Sequence, residues 1–188
     1  MALKQLLLAS QSPRRKQLLE QIGITPVCAP VDIDESIRGN EKPLEYCLRL
    51  AKEKAQTGWN RSDKSLPSLG SDTIVVLDGK ILAKPRDQQD AYAMLMSLSN
   101  KQHQVITAVA IIDATKMSSK DSVSEVLFGP LEEQEVKAYI ASKEPMDKAG
   151  SYGVQGFAAR WVKHISGSHS GIMGLPLYET SMLIKEFE

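Results

Sequence analysis

The sequence predicts an α/β fold on three observations. Short apolar runs such as Leu6-Leu7-Leu8 and Ile74-Val75-Val76-Leu77 have the length of buried strands. They alternate with longer stretches whose apolar residues recur at helical spacing, and Pro, Gly and Asp mark the boundaries where helices start and stop. With 188 residues, 42% hydrophobic and 24% charged, the chain has material for one sizeable core, which sets it apart from disordered sequences. The expected organisation is a single domain spanning residues 1–188.

Taken in order, Gln5 to Ala9 reads as a short buried strand. Ser10-Gln11-Ser12-Pro13 then leads into a helix with Leu18, Leu19 and Ile22 on one face, ending at Gly23. A strand near Pro26 to Ala29 follows. Pro43 opens a helix whose apolar face is Leu44, Cys47, Leu48, Ala51 and Ala55, with Gly58 as its expected end. The stretch from Trp59 to Pro67 carries the weakest pattern. Ser71 to Leu77 reads as a buried strand that turns back at Asp78-Gly79, and Asp87 caps a helix running to about Leu98. Val105 to Ile112 and Ser122 to Phe128 read as strands, Glu132 to Ser142 as a helix, Phe157 to Ile165 as a strand and Leu177 to Phe187 as a closing helix. No repeat period and no low-complexity run interrupts this alternation.

Charge and motif content narrow the function. Lys and Arg number 23 and so do Asp and Glu, so there is no overall field to draw the chain to nucleic acid or to a membrane surface, and any anionic ligand must be met by local charge. The apolar start of the chain is too short for a secretory segment and no transmembrane run follows, which places the protein in the cytoplasm. Cys28 and Cys47 form no C-x-x-C pair and are expected as two free, mostly buried thiols. Phosphate-loop, dinucleotide and zinc-protease motifs are missing, and Gly167-Ser168-His169-Ser170-Gly171 has His169 where a nucleophile elbow needs serine. His103 and His169 have no neighbours of catalytic type and are expected to be structural or exposed.

Local charge is concentrated at Ser12-Pro13-Arg14-Arg15. With Ser12 as N-cap and Pro13 as first residue, Arg14 and Arg15 fall in the first helical turn, where the helix dipole disfavours cations. Two readings resolve the conflict. A polyphosphate bound by the helix amides, both guanidiniums and the hydroxyls of Ser10 and Ser12 is one; a solvated helix end with Arg15 paired to Glu20 or a neighbouring strand is the other. On the second helix, Lys54 falls at the edge of the apolar arc and points toward the protein, whereas Lys52 lies on the opposite flank; a lysine stem lying on the core fits the same position. Lys84-Pro85-Arg86 follows the predicted hairpin as a third basic spot. Asp72, placed at the head of its apolar run, and Asp32-Ile33-Asp34-Glu35 each read either as turn and loop residues or as a base or Mg²⁺ ligand. Carboxylates beside phosphate-directed cations are the ingredients of metal-assisted phosphoryl chemistry.

Seven segments occur in order: Ser10-x-Ser12-Pro13-Arg14-Arg15, Asp34-Glu35, Leu50-Ala51-x-Glu53-Lys54-Ala55, Gly70-Ser71-Asp72-Thr73, Lys84-Pro85, Asp147-Lys148-Ala149-Gly150 and Gly174-Leu175-Pro176-Leu177. This set resembles the Maf family of nucleoside triphosphate pyrophosphatases, over about residues 5 to 185. The resemblance implies an elongated mixed sheet with flanking helices and two lobes around a cleft, similar to the inosine triphosphate pyrophosphatases. It implies hydrolysis of a nucleoside triphosphate to the monophosphate and pyrophosphate, with a divalent cation, Mg or Mn. By position, Asp72 matches the family's catalytic acidic residue, a general base; Ser10, Arg14, Arg15, Lys54 and Lys84 match substrate-binding cleft residues; and Glu35, with Asp72, matches the acidic residues that would hold metal. Arg14, Thr73 and Gln155 together resemble the subgroup acting on dTTP and UTP, whereas the subgroup acting on 7-methyl-GTP carries Trp, Gln and Glu there. Ser170-Gly171-Ile172-Met173 departs from the family pattern, and no substrate role is assigned to that loop. The family's association with arrested septum formation supplies a competing expectation, a module binding a division partner. Homodimers are a further expectation, and nucleic acid is not an expected partner.

Overall fold

The computed structural model describes residues 3–188. The first βαβ unit is built as its pattern requires: strand β1 (Gln5–Leu8), helix α1 (Pro13–Gln21) and strand β2 (Thr25–Cys28), with β1 and β2 parallel. Helix α2 (Pro43–Arg61) then leads to β3 (Ser68–Leu77), which hairpins into β4 (Lys80–Leu82). Helix α3 (Gln88–Leu98), the strands β5 (Gln102–Ile112) and β6 (Met117–Phe128), and helix α4 (Glu133–Ala141) follow. After three 3-10 turns come β7 (Val162–Ser166), a one-turn α5 (His169–Ile172) and α6 (Leu177–Glu186).

Seven strands form one mixed sheet in the order β2-β1-β3-β5-β6-β7, with β4 attached to β3. The β2-β1-β3 part is parallel and the rest antiparallel. With 12 residues in β6 at about 3.3 Å each, the sheet extends roughly 40 Å along its longest strand, an elongated form. Three apolar clusters flank it. One lies under α2 (Cys47, Leu50, Ala51, Ala55), a second joins α3, α4 and the aromatics Phe128, Tyr139 and Trp161, and a third joins β1, α1 and α6.

One gap in this sheet positions the site. β5 pairs with β3 along Ser68–Val76, so β1 and β4 share the opposite edge, β1 at Ser68 and Leu69 and β4 at Val75 to Leu77. Between them, residues 70–74 have no strand on that edge, so residues from both faces of β3 reach the opening.

Several expectations are corrected. Asp72 does not head its strand: β3 begins at Ser68 because its first residues pair with both β1 and β5, leaving Asp72 mid-strand opposite Ala108. Phe157 to Trp161 is a 3-10 turn, and only Val162 to Ser166 is strand. The turn brings the Phe157 and Trp161 rings to 5.6 Å, both against Tyr139, where a strand would hold residues four apart at roughly 13 Å. Helix α2 continues past Gly58 to Arg61. Gly58 serves close approach, since a Cβ there would stand 2.6 Å from Ser68 Oγ and 2.9 Å from Ala9 Cβ. Cys47 is buried as expected, but Cys28, on the edge strand β2, is exposed.

Candidate active site

A cleft of about 440 Å³ opens where one edge of β3 is left free between β1 and β4. Ser10, Arg14, Arg15, Glu35, Lys54, Asp72, Thr73, Lys84 and Gln155 all line it, so the nine residues singled out from sequence converge on one place.

The N-terminal end of α1 forms one wall. Ser12 is the N-cap and its hydroxyl accepts from the Arg15 amide at 3.5 Å; Pro13 is the first helical residue. Arg15 does not pair with Glu20, which is engaged by Lys16 at 3.7 Å. Its guanidinium donates to neutral acceptors: Nε to Gly174 O at 2.8 Å, Nη1 to Ser10 Oγ at 3.2 Å and Nη2 to Thr73 Oγ1 at 3.3 Å. Desolvation lowers the Arg15 pKa from its ordinary value and the charge of Asp72 opposes this, so the group stays a cation held in place without a carboxylate bond. Arg14, half-buried, lines the cleft beside it.

Across from α1, Lys54 projects from α2 toward β3 as the helical spacing predicts. Its ammonium donates to Asp72 Oδ1 at 2.6 Å and pairs with Glu35 Oε1 at 2.7 Å. Asp72 is 7% exposed and Lys54 9%. Burial raises the Asp72 carboxyl above the usual carboxylate range against the pull of Lys54 and Arg15. For Glu35 the balance is reversed: desolvation works upward, but the hydrogen bond and charge of Lys54, with Lys84 and Arg15, carry it below its ordinary value. Two carboxylates in one cleft are thereby driven apart in proton affinity, the pattern of a base beside a permanent anion.

Glu35 belongs to a segment without regular structure, and α2 holds it. Tyr46 Oη donates to Glu35 O at 2.7 Å, Arg49 Nη2 donates to Ser36 O at 2.9 Å, and Arg49 pairs with Glu41 at 2.6 Å. Behind Asp72, the buried Cys47 thiol lies 3.4 Å from the Asp72 carbonyl, and burial pushes its pKa up, leaving it inert.

The far wall comes from Lys84 at the exposed rim and from the turns spanning 147–155. Sequence reasoning quoted Asp147 and Lys148 as part of a motif but gave them no place in the cleft. Both line it, Lys148 Nζ donating to Asp147 Oδ1 at 2.7 Å and to Glu144 O. Tyr152 also lines it and hydrogen-bonds His103 Nε2 at 2.7 Å below; His103 is buried and His169 exposed, both outside the cleft lining. Gln155 is exposed at the mouth. Arg14, Arg15, Lys54, Lys84 and Lys148 outnumber Glu35, Asp72 and Asp147, so the cleft is positive in a chain of zero formal net charge. An extended anion fits such a lining.

The fold and this arrangement can be set beside known proteins. The family described as Maf-like protein matches residues 5–187. The chain belongs to the Maf family. Among Maf relatives, the dTTP/UTP pyrophosphatase of Aliivibrio fischeri is 50% identical over 187 residues, covering 97% of this chain and 98% of the relative. That of Chromobacterium violaceum is 48% identical, covering 96% and 93%, and that of Escherichia coli K12 is 45% identical, covering 97% and 92%. Among solved structures, a HAM1 protein from Coxiella burnetii superposes with a TM-score of 0.51 at 18% identity, covering 97% of this chain and 98% of that one. That likeness shows that the Maf chain shares its fold.

Proposed function

We propose that this chain is a nucleoside triphosphate pyrophosphatase that hydrolyses dTTP and UTP to the monophosphate and pyrophosphate. The observation that carries the reading is the pairing of Asp72 with Lys54 at 2.6 Å on the floor of a cation-rich cleft, with Arg15 held across from it by neutral acceptors. The full-length similarity to proteins named dTTP/UTP pyrophosphatase supplies the substrate.

In this reading Arg15, Arg14, Lys84 and Lys54 hold the triphosphate, and the hydroxyls of Ser10 and Thr73 complete its contacts. Asp72, with its raised proton affinity, takes a proton from a water molecule as that water attacks the α-phosphorus. The α–β anhydride bond breaks, and pyrophosphate leaves with its charge neutralised by the cations. Gln155 at the mouth reads the base.

The donor set also fits a divalent cation. Asp72 and Glu35 place their carboxylates on the same Lys54 ammonium, at 2.6 and 2.7 Å, so two hard oxygen ligands stand side by side in the cleft. No group of three or more His, Cys, Asp or Glu that could hold a metal occurs among the described residues. Asp72 and Glu35 would hold it, and when bound it would supply further neutralisation of the phosphate charge.

No described helix is long and apolar enough to cross a membrane. We place the enzyme in the cytoplasm, as one domain acting on the free nucleotide pool. Incubating the purified protein with UTP, dTTP, CTP, GTP and 7-methyl-GTP, with and without EDTA, tests the reading. Pyrophosphate from UTP and dTTP is expected; release of orthophosphate alone, or no product from any nucleotide, overturns it.

A further inference from the structure

We propose that the main-chain N–H of Thr73, on the open edge of β3, donates to a phosphate oxygen of the nucleotide in the cleft. The inference rests on the proposed function and adds to it a binding group that belongs to the backbone.

Backbone groups point to alternate edges of a strand, so residues two apart share an edge. Leu69 O accepts from Ala9 N at 2.9 Å, which turns residue 69 toward the β1 edge. Leu77 and Lys80 close the two-residue turn at Asp78-Gly79, so Leu77 and Val75 bond to β4 on that same edge. Ser71 and Thr73 lie in step between them and present N–H and C=O where no strand covers the edge. Asp72 and Ile74, out of step, face β5 at Ala108 and Ile106. Among the described residues, no loop backbone takes up the Thr73 amide. A peptide N–H without a partner is costly, so one left open in mid-sheet calls for water or a ligand. Ser71 is fully buried and outside the cleft lining, whereas Thr73 is the one residue of β3 that is not buried, and it lines the cleft.

Charge decides which ligand. Arg15, a cation bonded only to neutral acceptors, donates to the Thr73 hydroxyl at 3.3 Å, so its charge lies against this residue. An oxygen that accepts from the amide is therefore favoured when it is anionic. The carbonyls of Ser71 and Thr73 on the same edge only accept, and water serves them. Pairing of Asp72 and Ile74 to β5 fixes the direction of the amide before a ligand arrives, which removes a reorganisation step from binding. The peptide bond that carries this N–H begins at Asp72, so the phosphate it engages is the one beside the proposed base.

Amide hydrogen exchange, followed by NMR on isotope-labelled protein, reads the group directly. Without ligand, the Thr73 amide is expected to exchange at least about tenfold faster than those of Asp72 and Ile74. Saturation with a non-hydrolysable α,β-imido analogue of UTP is expected to slow it by about tenfold or more. Thr73→Val keeps the N–H and loses the hydroxyl; Thr73→Pro loses both, at a position where proline removes no ladder bond. With UTP, kcat/KM is expected to be at least about tenfold lower in the proline variant than in the valine variant. If Thr73→Pro does not fold, exchange in the wild type decides. A Thr73 amide as slow as its neighbours without ligand, exchange that the analogue leaves unchanged, or a folded proline variant equal to the valine one overturns the inference while UTP hydrolysis stands. A wild-type protein that releases no pyrophosphate from UTP overturns the proposed function first, and this inference with it.

Discussion

Gly70 of β3 and Ala55 of α2 meet backbone to backbone: a Cβ on residue 70 would stand 2.3 Å from the Ala55 nitrogen and 2.3 Å from the Ala51 oxygen. No flexible side chain is there to give way. Lys54 precedes Ala55 and Asp72 follows two residues after Gly70, so this approach sets the reach of their ion pair. Gly70→Ala is expected to cost about 3 kcal/mol by overpacking and to lower kcat together with stability, read by thermal melting and UTP turnover. A variant with wild-type melting and turnover would show that α2 is free to shift.

The charge balance at Asp72 makes a pH prediction. Burial raises its proton affinity, and Lys54 is the strongest group opposing that rise. Lys54→Met removes the opposition, so the acid limb of kcat/KM should move to higher pH. Asp72→Asn should abolish that limb and lower kcat by at least about 10²-fold. An acid limb that stays in place in Lys54→Met would assign it to another group.

Removal of Arg15 separates binding from folding. In Arg15→Ala, Gly174 O keeps the Ser71 hydroxyl at 3.0 Å and a cation leaves the start of a helix. Triphosphate affinity is expected to fall by about 1.5 to 3 kcal/mol, with ligand-free stability changing by less than about 1 kcal/mol. Calorimetry and melting measure the two; a large stability loss at unchanged affinity would make Arg15 a structural tie.

Base choice is expected to follow Gln155. Its amide can both donate and accept, matching the ring N–H and flanking carbonyls of uracil and thymine, whereas a glutamate only accepts. Because residue 155 is exposed in the free protein, Gln155→Glu should cost only about 1 kcal/mol in kcat/KM for UTP and dTTP, with GTP and 7-methyl-GTP affected less. Equal losses across all four nucleotides would remove the residue from base reading.

His103 predicts how stability depends on pH. Burial holds its imidazole neutral and lowers its pKa to about 4, with Tyr152 and Phe128 packed on it. The unfolded chain takes up this proton near pH 6.5 and the folded chain only near 4, so stability is full above about 6.5 and falls between the two by about 3 kcal/mol. His103→Gln should remove that part of the slope in denaturant unfolding measured from pH 7 to pH 4. An identical slope in the variant would show that His103 is already charged in the fold.

What was legible in the sequence was local. Helical periodicity distinguished Lys54 from Lys52, and the first-turn position of two arginines exposed a conflict that something had to resolve. Which partner resolved it was not legible, since Gly174 lies 159 residues from Arg15. The same distance problem misplaced Asp72, whose strand is lengthened by pairing with β1 and β5. The aromatics Phe157 and Trp161 suit a strand, and their partners in the 3-10 turn, Tyr139, Phe128 and Glu135, lie on other elements that a local pattern does not reach.

The tie from Arg15 to Gly174 also bears on how the protein is made. The cleft joins segments far apart in sequence: Arg15 leaves the ribosome well before its acceptor Gly174 and the helix α6 that packs beside β1. A nascent chain missing those segments has Asp72 and Lys54, but its Arg15 lacks the tie to Gly174 O at 2.8 Å. The cleft is thereby completed only once two residues 159 positions apart have both been made.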